Sequence, residues 1–180
     1  MAGNDRELAK ELIVEIIRQA GGAIDLKTAV FKAFYHAHIK FAKDQPGYLS
    51  AWPIVRMPRG PGIHRFDKLV LALVAEKRVS ISTVPCGKHR GFRYTVDGDS
   101  GHRVSLPAGA VQAIAYGVAQ VQGKTARQIS RESHDVSRAW REANDGEELN
   151  IYLDSLDDAE YTGYTTKADE IGEAINSFWK

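Results

Sequence analysis

Cysteine is almost missing from this chain: Cys86 is the only one in 180 residues. An intrachain disulfide and any zinc site built on several thiolates are therefore excluded, and the poverty of thiols fits a reducing compartment. Long apolar runs are missing as well. No stretch reaches the roughly 20 apolar residues of a membrane helix, and Met1 to Glu7 contains no apolar signal core. The expectation is a cytoplasmic protein with no membrane partner. Internal repeats and low-complexity tracts are also lacking, and at 43% hydrophobic and 26% charged the composition is that of an ordinary folded chain.

A dominant charge is lacking too, since the formal net charge is +1. The charges are nevertheless unevenly placed. Lys, Arg, Asp and Glu sum to −2 over residues 1–26, +9 over 27–103 and −6 over 104–180. A cationic middle can attract an anionic partner, and nucleic acid is the obvious candidate.

Catalytic signatures do not appear. His36 and His38 stand two apart, so on a helix they diverge by about 200° and cannot form an i, i+4 metal pair. The adjacent His134 and Asp135 have no neighbouring nucleophile. Pro58-Arg59-Gly60-Pro61-Gly62 has the glycines of a phosphate loop but not the Lys-Ser/Thr that completes one. Neither enzyme activity nor a metal or other cofactor is expected.

Helical periodicity is plain in three early segments. Leu8, Leu12, Ile13, Ile16 and Ile17 form one stripe, with Gly21-Gly22 as the stop. Leu26, Val30, Phe34, Ala37, His38 and Phe41 form a second, ended by Asp44-Gln45-Pro46-Gly47; Phe66, Leu69, Val70 and Leu73 form a third. Between the second and third, Tyr48 to Arg56 reads as a short strand and the Pro-Gly segment after it as a turn. Val79, Ile81, Thr83 and then Phe92, Tyr94, Val96 alternate around a turn-rich centre, which predicts a β-hairpin.

Further on, Pro107 suits the first turn of a helix carrying Val111, Ile114 and Val118. Thr125 with Gln128 makes a capping box, and Asp135 is positioned to cap another helix. Asp154 to Tyr164 reads as an acidic, aromatic segment before a last helix over Ala168 to Trp179. The predicted fold class is α+β, mostly helical. Its organisation is one domain over residues 1–153, with helices and hairpin over 1–97 and packed helices over 104–153, followed by an acidic segment and helix over 154–180.

Three helices followed by a hairpin is also the order of a winged helix, which gives the N-terminal half an alternative reading as a DNA-binding transcriptional regulator. Arg56, Arg59, Lys88, His89, Arg90 and Arg93 are the candidates for phosphate contact.

Lys32-Ala33-Phe34-Tyr35-His36-Ala37-His38 resembles the Lys-x-x-Tyr-x-Ala-His signature of the Panacea (SocA-like) antitoxin domain. Ala51-Trp52-Pro53 and Arg59-Gly60-Pro61 resemble that family's aromatic-flanked segment and Gly-Pro turn, with Arg59 where an aromatic is usual. Ser130 to Asp135 with Trp140 is similar to its closing Ser-x-x-Thr-His and Trp pattern, with Ser133 in place of threonine. The resemblance spans roughly residues 25–153. It implies a non-enzymatic antitoxin that neutralises a cognate toxin protein by direct contact, with a protease or chaperone as a further partner. Lys32, Tyr35, His38, Trp52, Gly60, Pro61, His134 and Trp140 are the family-motif and partner-binding candidates that follow from it.

Overall fold

The computed structural model describes residues 2–86, 89–98, 101 and 103–178. Its elements are helix α1 (Ala2–Gln19), strand β1 (Ala23–Asp25), helix α2 (Lys27–Asp44), strands β2 (Ile54–Met57) and β3 (Gly60–Ile63), helix α3 (Phe66–Ala75), strands β4 (Val79–Cys86) and β5 (His89–Val96), helices α4 (Ala110–Val121), α5 (Ala126–Val136) and α6 (Arg138–Glu142), a 3-10 turn at Ile151–Asp154, and helix α7 (Asp158–Phe178). With 57% of the chain helical and small antiparallel sheets, the class is α+β and mostly helical.

Helix α2 is the centre. Its buried residues, from Ala29 and Val30 through Lys32, Phe34, Tyr35 and His38 to Phe41, lie on nearly every side of the helix. Such a helix has to be enclosed by other elements. Helices α1, α4 and α5, strand β3 and the 3-10 turn enclose it. The closest approach is to α4, where small residues face each other. A Cβ on Gly117 would overlap the Ala33 carbonyl oxygen and lie 3.0 Å from the Ala37 nitrogen, so only glycine permits the two backbones to meet there.

One sheet has the order β1-β5-β4, antiparallel throughout, with Ile24 and Ile81 both opposite Tyr94. Val79, Tyr94 and Ile24 on its inner face are buried. Toward the tip, Ile81 and Phe92 continue that face beyond the core and are exposed. The second sheet is the short β2–β3 hairpin, in which Arg56 pairs with Pro61. At the junction of α3 and β4, Arg78 is buried and bonds both Glu11 oxygens, at 2.9 and 2.7 Å, tying α1 to the sheet.

Several sequence expectations are corrected. The Pro-Gly segment is not simply a turn: Gly60–Ile63 is a strand, because Pro61 fits a short two-stranded hairpin. The strand expected from Tyr48 begins only at Ile54. Pro107 lies in the turn before α4, which starts at Ala110. Ser137, rather than Asp135, caps α6 by accepting from the Trp140 amide at 3.1 Å. The acidic segment after Asp154 is already helical from Asp158, and no residue of α7 is buried. The three helices and hairpin come in the winged-helix order, but the β2–β3 hairpin separates α2 from α3, where a helix-turn-helix has a tight turn of about 3–4 residues.

Candidate functional site

Three segments distant in sequence meet at the amine of Lys32. Burial carries this side chain down to 1% exposure, and Nζ donates to the Pro61 carbonyl at 2.6 Å. Removing the ammonium from water pushes its pKa down to about 7. Gly60, at φ +94°, completes the site by having no side chain. A Cβ there would come within 2.6 Å of Ser133 Oγ, 2.9 Å of Lys32 Nζ and 3.0 Å of His134 Cδ2.

His134 is in turn stacked on Trp140, with centroids 3.9 Å apart and planes inclined by 5°. Burial lowers the His134 pKa, and the nearby Lys32 charge lowers it further. Trp140 Nε1 donates to the Met57 carbonyl at 2.8 Å, and the Arg56 guanidinium lies over the Trp140 ring at 4.7 Å. Arg56 also bonds the Trp140 carbonyl at 3.0 Å and pairs with Asp145. The β2–β3 hairpin is thereby fastened to α5 and α6.

The remaining motif residues brace the same centre. Tyr35 is buried and donates to Asp154 Oδ2 at 2.7 Å. Burial and the Asp154 charge raise its pKa well above the ordinary tyrosine value. His38 Nδ1 lies 2.9 Å from the Phe34 carbonyl, which can only accept, so Nδ1 carries the proton and Nε2 accepts from Ser50 Oγ at 3.3 Å. Trp52 Nε1 donates to the His64 carbonyl at 2.8 Å.

The candidates for phosphate contact are scattered. Arg56 is committed as above, and Arg93 bonds both oxygens of Asp25, at 2.6 and 2.8 Å. Arg59 and Arg90 are exposed. Lys88 and the side chain of His89 lie outside the described residues.

A groove that sequence reasoning missed runs between α3 and the β4–β5 hairpin. Its volume is about 330 Å³, and Val70, Leu71, Ile81, Phe92 and Tyr94 line it, with the Lys27–Asp67 ion pair at its edge. Leu71 is 62% exposed and Phe92 50%. The signal was present in the sequence, because Leu71 falls off the buried stripe of its helix. Its value depended on knowing that the hairpin overhangs the core. Exposed apolar surface gathered in a groove marks an interaction site more often than isolated exposed residues do.

Among the described residues, no group of three or more His, Cys, Asp or Glu is arranged to hold a metal ion, and no helix is long and apolar enough to cross a membrane. These features define an α+β, mostly helical protein with a braced polar centre and an apolar groove. No family model matches the chain, and neither a curated protein nor a solved structure matches it.

Proposed function

We propose that this protein is a cytoplasmic, antitoxin-like module that neutralises a cognate toxin protein by direct contact. The observation that carries this reading is the groove between α3 and the β4–β5 hairpin. In a winged-helix regulator α3 would be the element presented to DNA and would display polar and basic groups. Here its exposed positions include Leu71, Val74 and Ala75 beside Lys68, while Asp67 is taken up by Lys27. An apolar surface of this kind suits a protein partner. The Panacea resemblance is supported by the meeting of its three motif segments in space, Lys32 with Pro61 and Gly60 with Ser133 and His134.

Co-expression with the product of the adjacent reading frame tests the reading. The expected result is rescue from that product's toxicity, lost in Leu71→Glu and Phe92→Glu. Failure to rescue, together with operator binding whose logarithm falls steeply with log salt, would favour the DNA-binding alternative, with Arg59 and Arg90 as its exposed cations.

A further inference from the structure

Two apolar surfaces of this chain are left uncovered, and their surroundings are opposite in charge. The first is helix α7, none of whose residues is buried. Tyr164, Ala168, Ile171 and Ile175 recur at i, i+4, i+7 and i+11 and so fall on one line along it. Tyr164 is 47% exposed, and Ile171 and Ile175 are each 53% exposed. A helix in water draws most of its stability from packing such a stripe against another surface. The rest of α7 is acidic: Asp158, Glu160, Asp169, Glu170 and Glu173 stand against Lys167 alone. Asp158 is taken up by Arg138, whereas Asp169, Glu170 and Glu173 are exposed, with no basic partner among the described residues.

The second surface is the groove between α3 and the β4–β5 hairpin, walled by Leu71, Ile81 and Phe92. Arg90, Phe92 and Tyr94 alternate along β5 and so face one side, which carries the groove toward the hairpin tip and ends it in a cation. Arg65 and Lys68 at the start of α3, and Lys77 just beyond its end, are further exposed cations. None of the four has a carboxylate partner among the described residues. Asp67, the acid in the groove wall, is taken up by Lys27.

An amphipathic helix laid in an apolar groove is a recurrent mode of recognition, and here the charges around helix and groove are complementary. Within one chain the two stay apart. Arg138 pairs with Asp158 and lies over the Tyr161 ring at 4.4 Å, and Tyr161 donates to Glu142, so the first turn of α7 is anchored beside α6 and the helix runs unbroken from there. We propose that α7 docks in the α3–hairpin groove of a second copy of this chain, with Ile171 and Ile175 against Leu71 and Phe92 and the acidic flanks against Lys68 and Arg90. Each copy gives its helix to the other's groove, which closes the pair as a two-fold dimer. The groove is also the surface proposed for the toxin, so self-association competes with toxin binding. That competition rests on the toxin reading; the self-association does not.

Sedimentation equilibrium of the full chain reads the association. The mass should rise from the 19.9 kDa of one chain toward twice that value, with a dissociation constant of about 10–100 µM, in the range of a small interface. Leu71→Glu, and separately the double variant Ile171→Glu/Ile175→Glu, should each weaken it at least about 30-fold. These positions are exposed, so circular dichroism should remain that of the wild type. Cross-linking identifies the contact. With the single native cysteine removed by Cys86→Ala, a chain carrying Phe92→Cys is mixed with one carrying Ile175→Cys and oxidised. Disulfide-linked heterodimers, recognised by mass, should outnumber both homodimers. A wild-type chain that stays monomeric at about 500 µM, roughly tenfold above the expected constant, would overturn the proposal. So would a dimer that survives Leu71→Glu, or a predominance of Ile175→Cys homodimers, which would pair α7 with α7. Self-association without rescue from the toxin would sink the toxin reading alone; rescue without self-association would sink this one alone.

Discussion

Tyr35 and Asp154, 119 positions apart in the chain, are joined by a hydrogen bond of 2.7 Å from the phenol to Oδ2. The same carboxylate accepts from Ser137 Oγ at 2.7 Å and from the Ala139 amide at 3.0 Å. One side chain therefore fixes the central helix, the cap of α6 and the final turn of the body. Bonds to a charged acceptor contribute about 1.5–3 kcal/mol each, and leaving their buried donors unmet costs more than the mean.

Asp154→Ala should accordingly destabilise the protein by about 3–5 kcal/mol in urea unfolding, and Tyr35→Phe by about 1–2 kcal/mol. The double variant should cost less than the two singles added, because they share one bond. Strict additivity would show that the contact is not formed in solution.

How far these arrangements could be read from the sequence depended on whether a local pattern or a distant neighbour decided the outcome. The stripes of α1, α2 and α3 and the β4–β5 alternation are local, and each appears where periodicity placed it. β1 is only three residues long, too short to alternate visibly, and it exists because β5 pairs with it. α7 was legible only from Ala168, because Thr162, Gly163, Thr165 and Thr166 weaken the helical signal over its first half. At the polar centre, the family resemblance picks out Lys32, Pro61 and His134, whereas the sequence around Asp154 reads as an acidic tail. Nothing near Asp154 in the chain says that Tyr35 faces it.

The α2–α4 crossing gives a second prediction. Gly117→Val would drive a branched side chain into the Ala33 carbonyl oxygen, and backbone cannot yield as a flexible side chain does. A loss of at least about 3 kcal/mol is expected, with a large fall in the melting temperature. Gly123→Ala is the comparison. No atom lies within 4 Å of a Cβ at that position, so its cost is confined to the positive φ of +72°, about 1 kcal/mol. Equal effects of the two variants would rule out the close helix contact.

The groove between α3 and the hairpin supplies a third. Leu71→Glu and Phe92→Glu place a charge on exposed apolar positions, so unfolding free energies should change by no more than about 0.5–1 kcal/mol. Affinity for the proposed protein partner should fall at least about 30-fold, the loss of a hot-spot contact worth about 2 kcal/mol. Arg90→Ala should leave that affinity within a few-fold. A reversed pattern, with Arg90→Ala damaging and Leu71→Glu neutral, would move the interface to the basic tip.

Stability should also depend on pH in two separate windows. Burial holds the His36 and His38 pKa values down at about 4, against 6.5 for the unfolded chain. Between these values the unfolded chain takes up protons that the folded one refuses, so stability falls as the pH drops from 6.5 to 4, by on the order of 3 kcal/mol per histidine. Lys32 acts at the other end. With a folded value of about 7 against 10.5 unfolded, it makes stability rise as the pH increases from 7. That rise should end near pH 10, where tyrosines of the unfolded chain ionise while Tyr35 and Tyr94, both raised by burial, do not. Urea unfolding from pH 4 to 10 should therefore show two rising limbs. His38→Gln should reduce the acid limb by about half, leaving the His36 part, and Lys32→Met should flatten the alkaline one. If Lys32→Met left the alkaline limb unchanged, the amine would be hydrated in solution, and its burial against Pro61 would be wrong.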